Sequence, residues 1–519
     1  MQKLIIIGLD GADDKFITSL IKKGELKNLK RLIEGGCYGE LKSTVPPVTI
    51  PAWPAMFSGK NASSLNAVDF FRLEKNYELS YFTSAYWKKH MVWTILGMQG
   101  FRCAIFNVPG TNPAYPINGF MVTSTFGELQ TYPENLDKEI NIVPLKKAIH
   151  RFKRAVTDSG ILKASEQEFI ESAKLTSKLM EQQNWDLFIW IIRLVDIAMH
   201  RGDIDNIQKA YIAVDAHLAP ILEKAEKHHC NILVVSDHGL KRTTKSLNIN
   251  TFLEKIGYLK FKPGIYNLKV TRTPVNSKLK SLLLSGYRVL RNIKKLPPPF
   301  APAVMHKTIE WDKTKAFTLM ETCHNFIGIW LNTKESFAKG TINGAEEKEF
   351  IKQDLINKLR EFKDSDGENP VKRILTKEEL YPGASRYIPD IFIETRSDYA
   401  PNLRAQNEII THNDKFIHGL YGIFIACGPD IINTKEPLKD LEITDITPTI
   451  LSMFDIPIPS DIDGRAIKKI FKPDSEIFHR QIKYREGNPN DMPQDSSCSL
   501  ESGGTARLIE EGLRKLGYL

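Results

Sequence analysis

The stretch KLIIIGLDGAD, residues 3–13, places an apolar run of strand length directly before an aspartate. A short apolar run that ends at a Gly-Asp turn is typical of a buried strand in a parallel sheet. Similar runs recur along the chain, separated by longer segments with helical periodicity. The predicted strands are Lys3–Leu9, Arg102–Val108, Leu187–Ile192, Asn231–Ser236 and Gly422–Cys427, and the clearest helices are Glu166–Gln183 and Asp205–His228. This alternation predicts an α/β fold with a doubly wound, mostly parallel central sheet flanked by helices.

The pattern divides the chain into four parts. We predict the first part of a catalytic core in residues 1–240 and its last part in residues 416–470. Residues 241–415 contain a basic stretch, a proline cluster and isolated strand-like and helix-like runs, which favours an inserted α+β cap or lid. Residues 471–519 are predicted to form a linker rich in Asn, Pro, Asp, Ser and Gly and a final amphipathic helix, Ala506–Leu516.

Composition and charge narrow the class of protein. The 519 residues are 42% hydrophobic and carry a net charge of +9, so the chain can bury a large core and favours anionic partners. The six cysteines are far apart, and several lie in apolar runs, which predicts buried reduced thiols. The apolar N-terminal run is too short for a signal sequence, and no run approaches the about 18 residues of a membrane span. We therefore expect a cytoplasmic protein without a membrane span or a nucleic-acid module; its oligomeric state is not encoded in any motif.

Ligand-type side chains occur in five segments, each at the end of a predicted strand or the start of a helix. In open α/β sheets the loops at the carboxyl ends of strands converge, so these groups can form one site. They are Asp10 in GLDGAD, Thr49 in TIPAWPAMFSGK, Asp196 and His200 in RLVDIAMHRG, Asp237 and His238 in SDHG, and His418 in HG before the last strand. Each also has a plain structural explanation: a turn, a helix cap, a surface pair, a capped loop, and an exposed histidine with which His412 competes.

Together the five segments supply three carboxylates, three histidines and one hydroxyl. Asp196 and His200 are four residues apart, so a helix places both on one face, where they can grip one metal ion. Thr49 precedes a predicted helix, whose free N–H groups and dipole stabilise both an alkoxide and a phosphate. The set suffices for two tetrahedral metal sites with one position bridged by substrate. Such a pair of ions clamps the attacking and leaving oxygens of an in-line displacement.

The order of these motifs, from residue 1 to about residue 463, resembles the alkaline phosphatase superfamily in its type I phosphodiesterase/nucleotide pyrophosphatase branch. The resemblance implies an alkaline phosphatase-like fold and a hydrolase that cleaves phosphodiester or pyrophosphate bonds of a small anionic phosphorylated substrate. It implies two divalent metal ions, with zinc the usual ion; manganese also accepts Asp and His ligands. Thr49 would attack phosphorus and form a phospho-threonine intermediate. One ion would be surrounded by Asp10, Thr49, Asp237 and His238, and the other by Asp196, His200 and His418.

The segment after Thr49 departs from the family pattern. Characterised pyrophosphatases carry an asparagine that stabilises the phosphoryl oxygens, shortly after a TG-x-x-P-x-x-H-G stretch. Here the run is SGKNASSLNAVDFF, with Phe70 in the asparagine's place. Another group must therefore neutralise the phosphate, and Arg72 or a lysine of the lid is the candidate for substrate binding. Trp53 stands where sulfatases carry the arginine of a Cys/Ser-x-Pro-x-Arg pattern, which argues against a sulfatase.

Two other functions are compatible with the same scaffold. One is a phosphomonoesterase or a phosphotransferase of the phosphoglycerate mutase type, although those mutases use serine as the nucleophile. The other is a non-catalytic relative that serves as a binding module. The intact ligand set argues against the latter, because an unused metal site costs stability through carboxylate repulsion. Asp445 in ITDITPTIL is predicted to be a structural helix N-cap.

Overall fold

The computed structural model describes residues 2–124, 126–155, 157–262, 305–320, 323–403 and 406–487. The basic stretch Lys278–Lys295, the proline cluster, the linker and the predicted helix Ala506–Leu516 lie outside these residues. The chain forms two compact units. The core unit takes its described residues from Met1–Phe70, Tyr81–Leu240 and His418–Leu516, and the second unit takes them from Phe71–Ser80 and Lys241–Ile417.

The regular elements are numbered in chain order. The strands are β1 (Leu4–Leu9), β2 (Cys37–Lys42), β3 (Phe71–Leu73), β4 (Leu79–Tyr81), β5 (Cys103–Phe106), β6 (Gly119–Val122), β7 (Thr131–Tyr132), β8 (Leu187–Ile192), β9 (Asn231–Val235), β10 (Gly239–Asn248), β11 (Ala316–Phe317), β12 (Phe326–Leu331), β13 (Val371–Thr376), β14 (Ile391–Thr395), β15 (Tyr399–Asn402), β16 (Ile410–Gly419), β17 (Tyr421–Cys427), β18 (Leu438–Glu442), β19 (Ile458–Pro459) and β20 (Tyr484–Arg485). The helices are α1 (Asp14–Lys22), α2 (Lys27–Gly35), α3 (Thr49–Ser58), α4 (Ser84–Trp87), α5 (Val92–Met98), α6 (Leu136–Glu139), α7 (Val143–Arg154), α8 (Asp158–Gln182), α9 (Leu194–Arg201), α10 (Ile204–Lys227), α11 (Ile249–Lys255), α12 (Gly344–Glu361), α13 (Lys377–Leu380), α14 (Ile446–Met453) and α15 (Glu476–His479).

A nine-stranded sheet forms the centre of the core unit, in the order β18-β2-β17-β9-β1-β8-β5-β6-β7. The strands from β9 to β6 run parallel to one another, whereas β17 lies antiparallel between β2 and β9. The middle strands β1, β8 and β9 are buried along their whole length. A parallel strand covered on both faces needs apolar side chains at every position, which explains the uninterrupted runs in the sequence. The predicted doubly wound α/β fold is confirmed.

Long amphipathic helices pack beside this sheet. α10 packs against α2, α8 and α9. α8 begins after Thr157, whose hydroxyl accepts a hydrogen bond from Gly160 N at 3.1 Å, and α10 begins after Asp203, which accepts one from Asn206 N at 3.0 Å. Such caps satisfy N–H groups of the first turn and fix the start of a helix. No helix among the described ranges has the length and apolar character needed to cross a bilayer.

The second unit contains two sheets of three or more strands, besides the two-stranded pair β3-β4. The antiparallel order β11-β12-β14-β13 forms one, against which α12 packs, and β15-β10-β16 forms the other. Tyr77 stacks on Trp311 at 3.8 Å and on Phe337 at 5.2 Å, and its hydroxyl donates to Asn332 Oδ1 at 2.9 Å. These contacts hold Phe71–Ser80 in the second unit, although its chain position lies within the predicted first core segment, 1–240. The function of residues 241–415 as a lid stays a prediction.

Asp445 occupies the N-cap position of α14, yet it makes no side-chain cap bond to that helix. Its carboxylate accepts hydrogen bonds from Glu442 N at 3.1 Å and Arg465 N at 2.8 Å. The residue therefore ties two loop segments together at the start of the helix, which is a structural role of a different kind from the predicted cap.

Candidate metal centre

The ligand-type side chains lie at one edge of the central sheet. Asp10 directly follows β1, α9 follows β8, and the Asp-His pair follows β9. These three strands are parallel neighbours, and the register that pairs Leu9 with Ile192 makes their carboxyl ends level. Because β17 runs in the opposite direction, its amino-terminal end lies at this same edge, and His418 at the end of β16 precedes it by three residues.

A first group of side chains converges on the Nε2 atom of His238. That nitrogen lies 3.5 Å from Asp10 Oδ1, 3.4 Å from Asp237 Oδ2 and 3.3 Å from the hydroxyl of Thr49. All four side chains are fully buried. The three ionisable members form a compact set of the size that one metal ion can bridge.

A second group forms around Asp196 Oδ1. This oxygen lies 3.3 Å from His200 Nε2 and 3.5 Å from His418 Nε2, and the two nitrogens are 3.0 Å apart. The i, i+4 spacing in α9 thus places Asp196 and His200 on one face, as the sequence predicts. The rings of His238 and His418 stack at 3.6 Å with an angle of 14°, so the two groups adjoin. Ligand atoms of Asp196, His238 and His418 also lie within 4.8 Å of one another, which places His238 between the groups.

These distances fit a divalent metal ion. Ligands at about 2.0–2.1 Å from a tetrahedral zinc ion stand about 3.3 Å apart, close to the separations found here. Asp10 Oδ1 and Asp237 Oδ2 are buried and have no hydrogen-bond partner among the described residues. A buried carboxylate oxygen without a partner is costly, and a bound cation would remove that cost. The donor set of carboxylates and imidazoles suits zinc or a similar ion.

Backbone carbonyls orient the two fully buried histidines of the site. The Nδ1 atom of His418 lies 2.9 Å from the carbonyl oxygen of Pro47, and that of His238 lies 3.0 Å from the carbonyl oxygen of Gly239. A carbonyl oxygen accepts only, so each Nδ1 carries the proton and each Nε2 presents its lone pair. This is the tautomer that a metal-binding histidine needs, held by outer-shell hydrogen bonds.

Outer contacts also fix the two carboxylates of the first group. Trp53 Nε1 donates to the second oxygen of Asp10 at 3.3 Å, and Gly11 N donates to Asp237 Oδ1 at 3.3 Å. The Trp53 ring lies so close to β1 that a Cβ at Gly8 would come within 2.5 Å of it. Trp53 is thus a supporting residue of the site as well as a core side chain.

The first group carries more negative charge than its surroundings balance. Burial raises the pKa of Asp10 well above its usual range, and the charge of Asp196 raises it further, while Arg193 opposes the rise. Burial likewise raises the pKa of Asp237, with the charges of Asp10 and Asp196 acting in the same direction. Carboxylates that repel one another in a buried site are stabilised in their ionised form when a cation binds between them.

In the second group, the histidines favour the ionised form of Asp196. Burial on its own raises the pKa of Asp196, but the charge and hydrogen bond of His200, with a smaller contribution from His418, outweigh it, so the pKa lies well below the usual range. Burial lowers the pKa of His238 and of His418, which keeps both imidazoles neutral at neutral pH. An ionised carboxylate beside neutral imidazoles is the protonation state that metal binding requires.

Thr49 is the first residue of α3, whereas Val48 occupies the N-cap position and makes no side-chain cap bond. The hydroxyl of Thr49 therefore does not cap the helix. It points into the site, 3.3 Å from His238 Nε2. The helix is buried along its whole length, and Pro51 in its first turn needs no hydrogen-bond partner for its nitrogen. The proline-rich approach thus presents a fixed hydroxyl at the positive end of the helix dipole.

Two further candidates from the sequence are not members of these two groups. Arg72 belongs to the second unit, where Nε pairs with Glu74 Oε1 at 2.9 Å and the guanidinium lies 4.2 Å from the Tyr387 ring. His412, which competed with His418, is exposed. Sequence reasoning missed Arg193, which follows β8 and is buried. Its position, directly between an apolar run and the Asp-x-x-x-His motif, was the available signal.

The fold and this edge of the sheet define a hydrolase of the alkaline phosphatase superfamily. Residues 4–422 match the family model described as type I phosphodiesterase/nucleotide pyrophosphatase. The chain belongs to this family, and it is an enzyme that hydrolyses phosphoester bonds. The resemblance drawn from the motif order is thereby confirmed, and the interpretation as a non-catalytic binding module is wrong.

Solved structures share the fold at low sequence identity. Phosphonoacetate hydrolase from Sinorhizobium meliloti, in complex with phosphonoformate, has a TM-score of 0.55 and 15% identity, covering 86% of this chain and 94% of its own. Human ectonucleotide pyrophosphatase/phosphodiesterase 5 has a TM-score of 0.52 and 10% identity, covering 91% and 100%. An inactive threonine-to-alanine form of the murine protein, in complex with AMP, has a TM-score of 0.53 and 11% identity, with the same coverage. Among curated sequences none matches significantly.

Proposed function

We propose that this enzyme cleaves phosphodiester or pyrophosphate bonds in two steps, with Thr49 as the nucleophile. The observation that carries the proposal is the buried Thr49 hydroxyl at the start of α3, 3.3 Å from a histidine nitrogen that also faces two carboxylates. The inactive threonine-to-alanine form of the murine relative supports a threonine in this role. The substrate is a small anionic phosphorylated molecule, as the family and the basic chain favour.

We further propose two divalent ions, zinc in preference to manganese. Asp10, Thr49, Asp237 and His238 would hold one ion, and Asp196, His200 and His418 the other. When bound, the ions would act as Lewis acids and would lower the pKa of water enough to make it a nucleophile near neutral pH. The two adjoining groups of ligand atoms and their protonation states support a pair of sites.

In the first step Thr49 Oγ1 loses its proton and forms a bond to phosphorus, while the bond from phosphorus to the leaving oxygen breaks. The proton passes through solvent to that leaving group, and the product is a phospho-threonine that keeps the second substituent of a diester substrate on its phosphorus. In the second step water attacks the same phosphorus and the threonine oxygen leaves, which regenerates the hydroxyl. The dipole of α3 favours the negative charge that develops on Thr49 in both steps.

Replacement of the proposed nucleophile tests this directly. Thr49→Ala should lower turnover of bis-p-nitrophenyl phosphate by about a thousandfold or more, because no group remains to form the covalent intermediate. Thr49→Ser retains a hydroxyl and should keep part of the activity. Thr18→Ala, an exposed position on α1, should leave the activity unchanged. Mass spectrometry of acid-quenched wild-type enzyme should find a p-nitrophenyl phosphoryl group on Thr49, and wild-type turnover by Thr49→Ala would refute the nucleophile.

We also propose a cytoplasmic location. Cys37, Cys103, Cys230, Cys323 and Cys427 are all free thiols. Reduced thiols persist in a compartment that keeps them reduced, and most of these are buried in addition. Fractionation of cells that produce the protein would test the location.

A further inference from the structure

Arg193 is a buried cation at the edge of the sheet where the metal-type ligands lie. It follows the last residue of β8 directly and occupies the N-cap position of α9, the helix that carries Asp196 and His200. Only 4% of its surface is exposed. Its positive charge lowers the pKa of Asp10, so the guanidinium lies within electrostatic reach of the first ligand group.

The guanidinium of Arg193 has no hydrogen-bond partner among the described residues at Nε, Nη1 or Nη2. It lies 4.3 Å from the centre of the Phe126 ring, which supports one face of its plane. Lys60, the other buried lysine or arginine of the described chain, is paired with Asp461. A buried guanidinium with all its donors unmatched is expensive, because it has lost its hydration without gaining an acceptor. Such a group can be stabilised by a hydrogen-bond acceptor on a bound ligand.

Two neighbouring side chains, Asn107 and Phe70, are not available to bind an incoming anion. The amide of Asn107, at the end of the neighbouring strand β5, donates to the carbonyl oxygen of Ile191 at 2.9 Å. Phe70 stands where the family resemblance implies an asparagine, and its ring packs 6.4 Å from that of Phe126. The apolar ring at position 70 thus belongs to the support beneath the guanidinium.

The charge count of the loaded site points the same way, given the two ions of the proposed function. Three carboxylates, those of Asp10, Asp196 and Asp237, are more than neutralised by two divalent ions. Arg193 then adds one further positive charge, which leaves a surplus of two. A phosphodiester monoanion and the ionised hydroxyl of Thr49 match that surplus. Arg193 is therefore not needed to balance the ligands once the ions are bound, but it is needed to balance an anionic substrate.

We propose that Arg193 binds a non-bridging oxygen of the phosphoryl group that Thr49 attacks, and so performs the task of the absent asparagine. The guanidinium offers five donors in a planar fork, which suits the oxygens of a phosphate. This proposal rests on the proposed function of the site. It assigns substrate binding to a residue within the core unit, whereas Arg72 already has a carboxylate partner in Glu74.

The experiment compares Arg193→Gln, Arg193→Lys and wild-type enzyme, each loaded with zinc. Arg193→Gln should weaken the affinity for inorganic phosphate, measured by calorimetry, by about tenfold to a hundredfold. Its kcat/KM for bis-p-nitrophenyl phosphate should fall by about a hundredfold to a thousandfold. Arg193→Lys should fall between the two in both measurements. Arg31→Gln, at an exposed site on α2, is the matched control and should change neither.

Two further readouts separate substrate binding from a structural role. Metal content by mass spectrometry should be the same in all variants, and the melting temperature of zinc-loaded Arg193→Gln should equal or exceed that of wild type, because a buried charge in surplus over the ligands has been removed. Unchanged phosphate affinity in Arg193→Gln, or loss of its metal, would overturn the proposal. Failure of the proposed nucleophile would appear separately, as activity in Thr49→Ala with the Arg193 results unaffected.

Discussion

At the scale of single residues, the indole of Trp53 links α3, the helix that carries the proposed nucleophile Thr49, to the carboxylate of Asp10. Its N–H donates to Asp10 Oδ2, while the ring lies against the backbone of β1 at Gly8. Outer-shell donors of this kind orient ligands, and their loss commonly costs about tenfold to a hundredfold in metal affinity. Trp53 thus orients the carboxylate of Asp10, a role that the sequence did not predict.

Trp53→Phe should therefore weaken metal binding by about tenfold to a hundredfold while retaining most of the ring packing. A chelator titration followed by metal analysis measures this directly. Trp93→Phe is the matched control, because it removes a buried N–H that donates to the hydroxyl of Tyr115 at 2.8 Å. Equal metal affinities in the two variants would show that the Trp53–Asp10 hydrogen bond has no part in holding the ion.

The sequence indicated the proposed ligand residues, which the structure brings together, but not the residues that support them. Asp10 and His238 could be named because polar groups directly after apolar runs stand out against the pattern. The supports are less visible, since the partner of His418 is a backbone carbonyl, that of Pro47, which any residue could supply. Arg193 was not predicted, because its importance depends on the guanidinium having no hydrogen-bond partner among the described residues. The sequence does not show this, and the folded structure does.

At the scale of elements, the end of α3 is defined as sharply as its start. Gly59 closes the helix with a left-handed φ of 70°, and its N–H donates to the carbonyl oxygen of Ala55 at 2.9 Å. A Cβ at this position would come within 2.7 Å of Ile462 Cγ2. Both the backbone conformation and the close approach therefore require glycine.

Gly59→Ala should lower the free energy of unfolding by about 1–2 kcal/mol for the left-handed backbone and by a further 1–3 kcal/mol for the contact. Gly24→Ala isolates the first cost, because Gly24 has a φ of 78° and a Cβ added there would meet no heavy atom within 4 Å. Denaturant unfolding measures both variants. Equal losses in the free energy of unfolding at the two positions would mean that the Ile462 side chain moves aside without destabilising the protein.

Element boundaries show where local pattern suffices and where it does not. The predicted strand Leu187–Ile192 matches β8, because a buried parallel strand is apolar throughout. α8 instead begins at Asp158, eight residues before the predicted start, because Thr157 caps it and polar residues continue the exposed face. The position of Thr49 was ambiguous for a similar reason: the sequence indicated a helix start, but only the structure places the cap at Val48.

At the scale of the whole molecule, the thiols are distributed through the interior. Burial raises the pKa of Cys37 to about 12 and that of Cys230 to about 11, and it raises the pKa of Cys103 as well. Because the thiolate is the reactive form, these side chains are protonated and shielded at neutral pH. Four of the five described cysteines are buried, as the apolar runs in the sequence predict, and their reduced state stays a prediction.

Native protein treated with iodoacetamide at pH 8 should consequently leave Cys37, Cys103 and Cys230 unmodified, whereas protein unfolded in guanidinium chloride should be alkylated at all three. Peptide mapping by mass spectrometry distinguishes the positions. Cys427, which is half-buried, provides an internal comparison and should react first in the native state. Rapid labelling of Cys37 without denaturant would contradict the burial of this side chain at the start of β2.

Motif order was enough to predict the fold and family of the molecule, but not the composition of its second unit. Segment Phe71–Ser80 joins that unit through Tyr77, whose aromatic partners lie more than two hundred residues away in the chain. Contacts at such separation leave no local periodicity in the sequence. They become visible only when distant segments are brought together.

The direction of β17 affects when, during synthesis on the ribosome, all the side chains of the site are present. Because this strand runs against its neighbours, the histidine at the sheet edge is His418, which is translated after the described residues of the second unit. A nascent chain that has reached β10 already contains Asp196 and His200, yet it lacks the third member of their group. The proposed capture of an ion by this group therefore has to wait for a late stage of synthesis, and a product truncated before His418 lacks one of the proposed ligands.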